Sequence, residues 1–166
     1  PCLWSIAYAN NLVVRNVSLS GQSGAGTKMA TGDTTATVQF DISQDNSWRF
    51  SPNLHDAAWV FVKYSVNDGA WQHATISAVD LSSIAGTGLT STLPADNKGV
   101  FLYRSGEGSG TLSTTGVKFT WAISTNSVNP DPSVTTKVVL KVFALEMVYI
   151  PQGSFYVGSG GTEGGA

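Results

Sequence analysis

Alternation of apolar and polar residues at a period of two, with almost no helical period, limits what this chain can fold into more than any other feature. Val38, Phe40 and Ile42 alternate with polar neighbours, and the same alternation recurs at residues 117–123. Successive side chains of a strand point to opposite faces of a sheet, so this pattern predicts strands with one buried and one hydrated face.

Two longer runs, residues 57–66 and 138–149, are apolar on both faces for much of their length and rich in β-branched and aromatic residues. Such residues suit pleated surfaces, so we expect these runs at the centres of sheets. Further strands are predicted at residues 12–19, 71–77 and 99–104. About seven short strands with no crossover helices indicate an all-β fold, an antiparallel β-sandwich with an immunoglobulin-like arrangement.

Turn signals separate the predicted strands. Asn67, Asp68 and Gly69 supply the positive backbone torsions of a tight hairpin turn. Residues 96–99 and 105–110 are predicted to be turns, and residues 22–35 and 129–132 to be surface loops. Glycine and Asx residues favour turns, and proline removes a donor from any ladder.

Composition restricts the classes of function. The 166 residues suffice for a single core, and only 12% of them are charged, so we expect a surface of hydroxyls and amides that is typical of an extracellular protein. A formal net charge of −2 without a cluster of Lys and Arg excludes nucleic acid as an expected partner. No apolar run reaches the roughly 20 residues of a transmembrane segment. The one cysteine, Cys2, provides neither an internal disulfide nor a thiolate zinc site.

The two ends of the chain differ from its middle. Residues 1–9 are apolar and close with Ala7-Tyr8-Ala9, the small-residue pattern of a secretory cleavage site, so they are interpreted as the remnant of a signal peptide. Residues 10–150 are predicted to form the β-domain. Residues 151–166 are rich in glycine and are predicted to be a linker or the start of a downstream domain.

Catalytic chemistry has few candidates. His55 and His73 are the two histidines, and no G-x-S-x-G elbow accompanies them. A carboxylate pair for glycoside hydrolysis would have to come from Glu107, Glu146 and Glu163, of which two lie in glycine-rich segments. We therefore expect no catalytic residues, no enzyme activity and no cofactor.

A calcium site is a weaker alternative. Asp41, Asp45 and Asn46 lie close together at the end of a predicted strand, and Asp56 follows in the next segment. Carboxylate and amide oxygens are calcium ligands, but the spacing matches no EF-hand loop. Asp and Asn also cap the backbone of turns, and we favour that interpretation, with no metal predicted.

Aromatic residues offer a ligand platform. Aromatic faces stack on the apolar faces of pyranose rings, while neighbouring polar groups bind the hydroxyls. Trp48, Trp71 and Tyr103 are the predicted ligand-binding residues. Trp59 and Trp121 lie in strongly patterned strands and are predicted to belong to the core.

A resemblance to a known family enters at residues 147–159, MVYIPQGSFYVGS. This stretch resembles the opening strand of the formylglycine-generating-enzyme-like (sulfatase-modifying-factor) domain in its order of M-V, I-P, G-x-F and G-S. The family's cysteines and calcium ligands have no matching position here, so its oxidation of a substrate cysteine is not carried over. The preceding residues, including NSWR at 46–49 and DAAWVFVKY at 56–64, resemble the N-terminal β-domain of secreted bacterial proteins that carry such a domain. The resemblance implies secretion and adds no site residues.

Three functions follow as expectations. The first is a non-catalytic, secreted or cell-surface module for structure, adhesion or assembly, with a polysaccharide or a cell-surface protein as its partner. The second is a carbohydrate-binding module. The third is self-assembly, in which the segment from Val138 to Val157 adds as a strand to the open sheet edge of a second copy.

Overall fold

Every strand pair in the described part of the chain is antiparallel. A computed structural model describes residues 10–19, 33–84, 87–128, 137–148 and 153. Nine strands and one 3₁₀ turn, Ser82–Ile84, account for most of them. The strands are β1 (Val13–Leu19), β2 (Ala36–Ser51), β3 (Leu54–Val66), β4 (Gln72–His73), β5 (Ile76–Asp80), β6 (Leu89–Thr92), β7 (Val100–Arg104), β8 (Gly108–Trp121) and β9 (Val138–Val148). The predicted all-β, antiparallel class is confirmed.

The strands form one sheet that is nearly closed into a barrel. Its order is β5-β8-β2-β3-β7-β6, with β1 beside β2 and with β4 and β9 beside β3. The long strands β2 and β3 meet through the pair Arg49 and His55, so one hairpin joins the two halves of the sheet. The predicted immunoglobulin-like sandwich is not confirmed. A sandwich consists of two separate sheets, whereas here the pairing of β2 with β3 joins the two halves into one sheet.

The core lies between the inward faces of the strands. In β3 the inward side chains are Ala58, Val60, Val62 and Tyr64, and all four are buried. From β8, Trp121 is fully buried with its ring 4.7 Å from that of Tyr64, so its predicted core position is confirmed. The remaining large, fully buried side chains are Val38, Phe40, Ile76, Val100, Leu102, Val117, Phe119 and Ile123.

Asn126 ties the end of β8 to the segment between β4 and β5. Its Oδ1 accepts hydrogen bonds from Trp121 Nε1 at 2.8 Å and from the backbone N of Thr75 at 2.9 Å. Tyr64 Oη donates to Gln72 Oε1 at 3.0 Å. The side chains of Tyr64, Trp121 and Asn126 thus find hydrogen-bond partners in the core, whereas His73 Nδ1 is buried without one.

The predicted strand at 71–77 is divided in the structure. β4 pairs with β3, whereas β5 pairs with β8, so the chain passes from one half of the sheet to the other between them. The backbone N of Ala74 donates to Val62 O and that of Ile76 to Asn97 O, which holds this crossing. β6, a four-residue strand, has no counterpart in the prediction.

The predicted turn at 105–110 is wrong in its second half, because β8 already begins at Gly108. Gly108 and Gly110 have φ values of +144° and +117°, a region that favours glycine. They pair with Arg49 and Ser47 of β2 at an irregularity of the ladder. The glycines that suggested a turn thus serve a distorted strand.

The predicted hairpin turn after β3 is confirmed. Asn67 and Asp68 have φ values of 50° and 59°, and Gly69 N donates to Val66 O at 2.9 Å. The turn predicted at 96–99 is present but begins earlier, at Pro94, because Asn97 N donates to Pro94 O at 3.0 Å.

Several predictions lie outside the described residues. They are the signal-peptide remnant at 1–9, most of the loop at 22–35, the loop at 129–132 and, apart from Gly153, the segment at 151–166. Among the residues that the structure describes, no helix has the length and apolar character needed to cross a membrane.

Candidate functional site

The two halves of the sheet present outer faces of opposite character. Over residues 39–43 of β2 and 113–120 of β8, the outward side chains are polar: Gln39, Asp41, Ser43, Ser113, Thr115, Lys118 and Thr120. Phe50, at the end of β2, is a separate apolar side chain that is 74% exposed. Along β3, β7 and β9, most outward side chains are aromatic or apolar. We call the second surface the aromatic face and define it by Trp59, Phe61, Phe101, Phe143, Leu145 and Met147.

Strand register builds the aromatic face. Residues directly opposite in an antiparallel pair share a face. Trp59 lies opposite Leu145 of β9 and Phe101 of β7, and Phe61 lies opposite Phe143. The alternation that sends Val60 and Val62 into the core therefore gathers the intervening aromatic residues on the outside.

Strand β9 leaves this face open to solvent. Phe143, Leu145 and Met147 are 42%, 50% and 44% exposed. Within the described residues, β9 pairs with β3 alone, over Val138 to Val148. The prediction that residues 138–149 form the centre of a sheet is therefore wrong: β9 is largely apolar, yet it pairs with one neighbour and leaves its outer side chains uncovered.

The rings of the aromatic face contact one another in a row. The centroid of Phe61 lies 4.7 Å from Trp59, 5.3 Å from Phe143 and 5.4 Å from His73. Gly99 makes room for the indole, because a Cβ at this position would lie 2.3 Å from Trp59 Nε1. The prediction that Trp59 belongs to the core is wrong, since it is half-buried on the outer face.

Tyr103 lies in a groove at one end of the aromatic face. The groove has a volume of about 330 Å³, and its lining residues are His55, Ala57, Thr92, Phe101, Tyr103, Met147 and Val148. The Tyr103 ring stacks on His55 at 4.3 Å, and its Oη lies 2.8 Å from Thr92 Oγ1. The Arg49 guanidinium lies 5.7 Å from the same ring. One face of Tyr103 is thus already occupied by the His55 ring.

The other predicted ligand-binding residues lie elsewhere. Trp71, 43% exposed, precedes β4, and Lys141 Nζ lies 5.0 Å from its ring centroid. Trp48 lines a separate depression with Arg49, Phe50 and Glu107. The structure therefore does not gather Trp48, Trp71 and Tyr103 into one platform. The sequence analysis did not identify Phe61 and Phe143. The feature that could have indicated them is that residues 57–66 and 138–149 carry apolar side chains on a second side as well.

Two lysines face each other at the opposite end of the aromatic face. Lys63 of β3 lies directly opposite Lys141 of β9, and on its other side it pairs with His73 of β4. In the described part of the chain, neither lysine has a carboxylate within 4.0 Å, and the ion pair that is present joins Lys137 to Asp68. Burial lowers the pKa of His73, the charges of Lys63 and Lys98 lower it further, and Asp96 opposes them. His73 is therefore neutral near pH 7 and contributes a ring.

The carboxylates of the predicted calcium alternative, Asp41, Asp45 and Asp56, accept hydrogen bonds from different partners. Asp41 accepts hydrogen bonds from Asn16 Nδ2 at 2.6 Å and Gly116 N at 2.9 Å, and these lower its pKa. Asp45 accepts from Thr111 Oγ1 at 3.0 Å and Asn11 Nδ2 at 3.1 Å. Over the residues that are described, no three His, Cys, Asp or Glu side chains are placed to share a metal ion.

Asp56 carries a buried hydrogen-bond network beneath the β2–β3 corner. Its carboxylate, fully shielded from solvent, accepts from Gln44 Nε2 at 2.8 Å, Ser47 Oγ at 3.1 Å and Trp48 N at 3.1 Å. Burial raises the pKa of Asp56, while the hydrogen bonds from Trp48 and Ser47 oppose that shift. This network positions the corner from which Arg49 and His55 reach Tyr103.

The chain matches no protein-family model, and neither the curated proteins nor the solved structures include a match to it. Its function must therefore be inferred from the geometry of its own surfaces.

Proposed function

We propose that this protein is a non-catalytic, secreted or cell-surface β-domain that serves as an adhesion module and binds through the aromatic face. The observation that carries the proposal is the contrast between the outer faces. The outer face of β2 and β8 is polar over residues 39–43 and 113–120, whereas that of β3, β7 and β9 exposes Phe143, Leu145 and Met147 side by side. Contiguous exposed apolar surface of this kind marks interaction sites.

Folding alone does not require the aromatic face. The inward side chains of β3 are buried in the core cluster, whereas Trp59 and Phe61 lie outside that cluster. Apolar side chains stabilise a fold in proportion to the area that they remove from water, and residues half exposed to solvent contribute correspondingly little. Polar residues occupy the corresponding outward positions over residues 39–43 of β2 and 113–120 of β8. A binding role accounts for the difference.

Carbohydrate binding is the second candidate. It is supported by the row of rings from Trp59 through Phe61 to Phe143 and by the polar groups of His55, Tyr103 and Thr92 at the end of that row. Rings and polar groups side by side suit the apolar faces and hydroxyls of sugars. The prediction of Tyr103 as a ligand-binding residue persists within this proposal, at the groove.

Self-assembly through β9 is a third candidate. The edge of β9 opposite β3 pairs with no other described strand, although Asn10 Nδ2 donates to Glu146 Oε1 near its end. An unpaired edge can accept a strand from a second copy. The secreted location and the resemblance to proteins with a formylglycine-generating-enzyme-like domain remain part of the proposal.

A double substitution on the aromatic face tests the adhesion proposal. Phe143→Thr with Leu145→Thr introduces β-branched residues, which favour strands, and removes exposed apolar surface. We expect the wild-type protein to be retained on immobilised polysaccharides or on whole bacterial cells, and the variant to lose about nine-tenths of that retention, because a few central apolar residues carry most of the binding energy. Retention is measured by pull-down with purified protein.

The matched control is Gln39→Thr with Ser113→Thr on the polar outer face. It should be retained like the wild type. Equal retention of the aromatic-face variant, or no retention of the wild type on any surface, contradicts the proposal. Sedimentation equilibrium on the same proteins distinguishes self-assembly from binding to another molecule. If the wild type is a dimer and the aromatic-face variant is a monomer, the partner is a second copy of this chain.

A further inference from the structure

We propose that the aromatic face binds an anionic polysaccharide of the uronate class, whose carboxylates contact Lys63 and Lys141 at one end and Arg49 at the other. This inference rests on the proposed function and deepens it by specifying the chemistry of the partner.

The opposed lysines are the first observation. Like charges directly opposite in neighbouring strands destabilise a sheet. Lys63 and Lys141 nevertheless occupy such positions, and among the described residues no carboxylate lies near enough to pair with either. Lys141 Nζ lies over the ring of Trp71, whose exposed indole extends the apolar surface beside the pair. A bound carboxylate would supply the missing counter-charge through charge-assisted hydrogen bonds.

The length of the surface is the second observation. The lysine pair and the groove of Tyr103 lie at opposite ends of β3, and Lys63 follows His55 by eight positions. At a rise of about 3.3 Å per residue this distance is roughly 26 Å. Between the ends lie the rings of Trp59 and Phe61. Cations at both ends of a long apolar row match a linear polymer that has repeated charges and apolar ring faces. A single small anion could not contact both ends.

Arg49 can bind a carboxylate at the end of the aromatic face where the Tyr103 groove lies. One of its N–H groups donates to Arg104 O at 2.6 Å, and its guanidinium lies beside the Tyr103 ring. A guanidinium has five N–H donors, so several remain for a carboxylate. Uronate rings combine an apolar C–H face, which packs on aromatic rings, with one carboxylate per residue. An acidic peptide or single-stranded DNA carries charge as well, and both enter the test as competitors.

The experiment compares polygalacturonate with the same polymer after full methyl esterification, which removes the charge and keeps the sugar chain. Affinity electrophoresis or calorimetry is carried out with the wild type, Lys63→Gln with Lys141→Gln, and a control of equal charge change on the polar side, Arg15→Gln with Lys118→Gln. We expect the wild type to prefer the acidic polymer and the lysine variant to bind it about tenfold more weakly. The control should match the wild type. Circular dichroism and thermal unfolding of the lysine variant should show an intact fold.

Several results would overturn the inference. Equal binding of the two polymers, an unchanged affinity of the lysine variant, or equally tight binding of polyglutamate or single-stranded DNA would each exclude a uronate-specific site. If the lysine variant binds normally while Phe143→Thr with Leu145→Thr loses adhesion, the uronate assignment fails and the proposed function stands. If the aromatic-face variant also binds normally, both fail.

Discussion

Trp121→Ala should destabilise the protein by about 3–5 kcal/mol, the range for removing a fully buried large aromatic side chain. Trp121 is entirely shielded from solvent, and its ring packs 4.7 Å from Tyr64. It also lies opposite both Ala36 and Ile76, so the cavity would open where β2, β5 and β8 meet. The free energy of unfolding in urea measures the loss.

Trp121→Phe is the informative control. It keeps most of the ring and removes the hydrogen bond from Nε1 to Asn126 Oδ1, which retains a second donor in Thr75 N. The expected loss is about 1–2 kcal/mol, a hydrogen bond plus a small cavity. If the Ala variant were no less stable than the Phe variant, the packing assigned to this end of the barrel would be incorrect.

Asp56→Ala should cost about 3–4 kcal/mol. The substitution leaves Gln44 Nε2, Ser47 Oγ and Trp48 N without their acceptor in a buried region, and each unsatisfied donor costs about 1–3 kcal/mol. The β2–β3 corner would loosen, and we expect Arg49 and His55 to lose their positions beside Tyr103. Chemical unfolding gives the stability, and the fluorescence of the nearby Trp48 reports on the corner.

Asp56→Asn separates the hydrogen bonds from the charge. Because burial raises the pKa of Asp56, the folded protein holds the proton more tightly than the unfolded chain. This contribution to stability is fully present below the ordinary pKa of 3.8 and is lost as the pH rises through the raised pKa. The stability of the wild type relative to Asp56→Asn should therefore fall over that window. A constant difference from acid to neutral pH would contradict the burial of an ionisable carboxyl.

Local patterns in the sequence predict the strands well. Alternation at Val38, Phe40 and Ile42 and the signal at Asn67 and Asp68 depend on neighbours in the chain, and the structure agrees with both. The path of the sheet depends instead on which strands meet. Whether β2 and β3 end at a corner or continue through it is decided by distant pairs such as Arg49 and His55. Alternation of apolar and polar residues along one strand does not indicate which other strand it pairs with.

The site shows the same division. Tyr103 was predicted as a ligand-binding residue and lies in the groove. Trp59 is predicted to belong to the core because its strand is strongly patterned, but such a pattern is equally compatible with a strand whose outer side chains are left open to solvent. The position of β9 beside β3 alone distinguishes the two cases. Likewise, Lys63 and Lys141 are 78 positions apart in sequence, so their opposition depends on register and not on any local motif.

The measurement that tests the central claim most directly combines stability and binding for Phe143→Thr with Leu145→Thr. If the aromatic face serves binding, the free energy of unfolding should fall by less than about 2 kcal/mol, because both side chains are about half exposed, while retention on the polysaccharide or cell surface is lost. A loss of stability as large as that of Trp121→Ala, or unchanged retention in a stable variant, would contradict the claim and assign these residues to the fold alone.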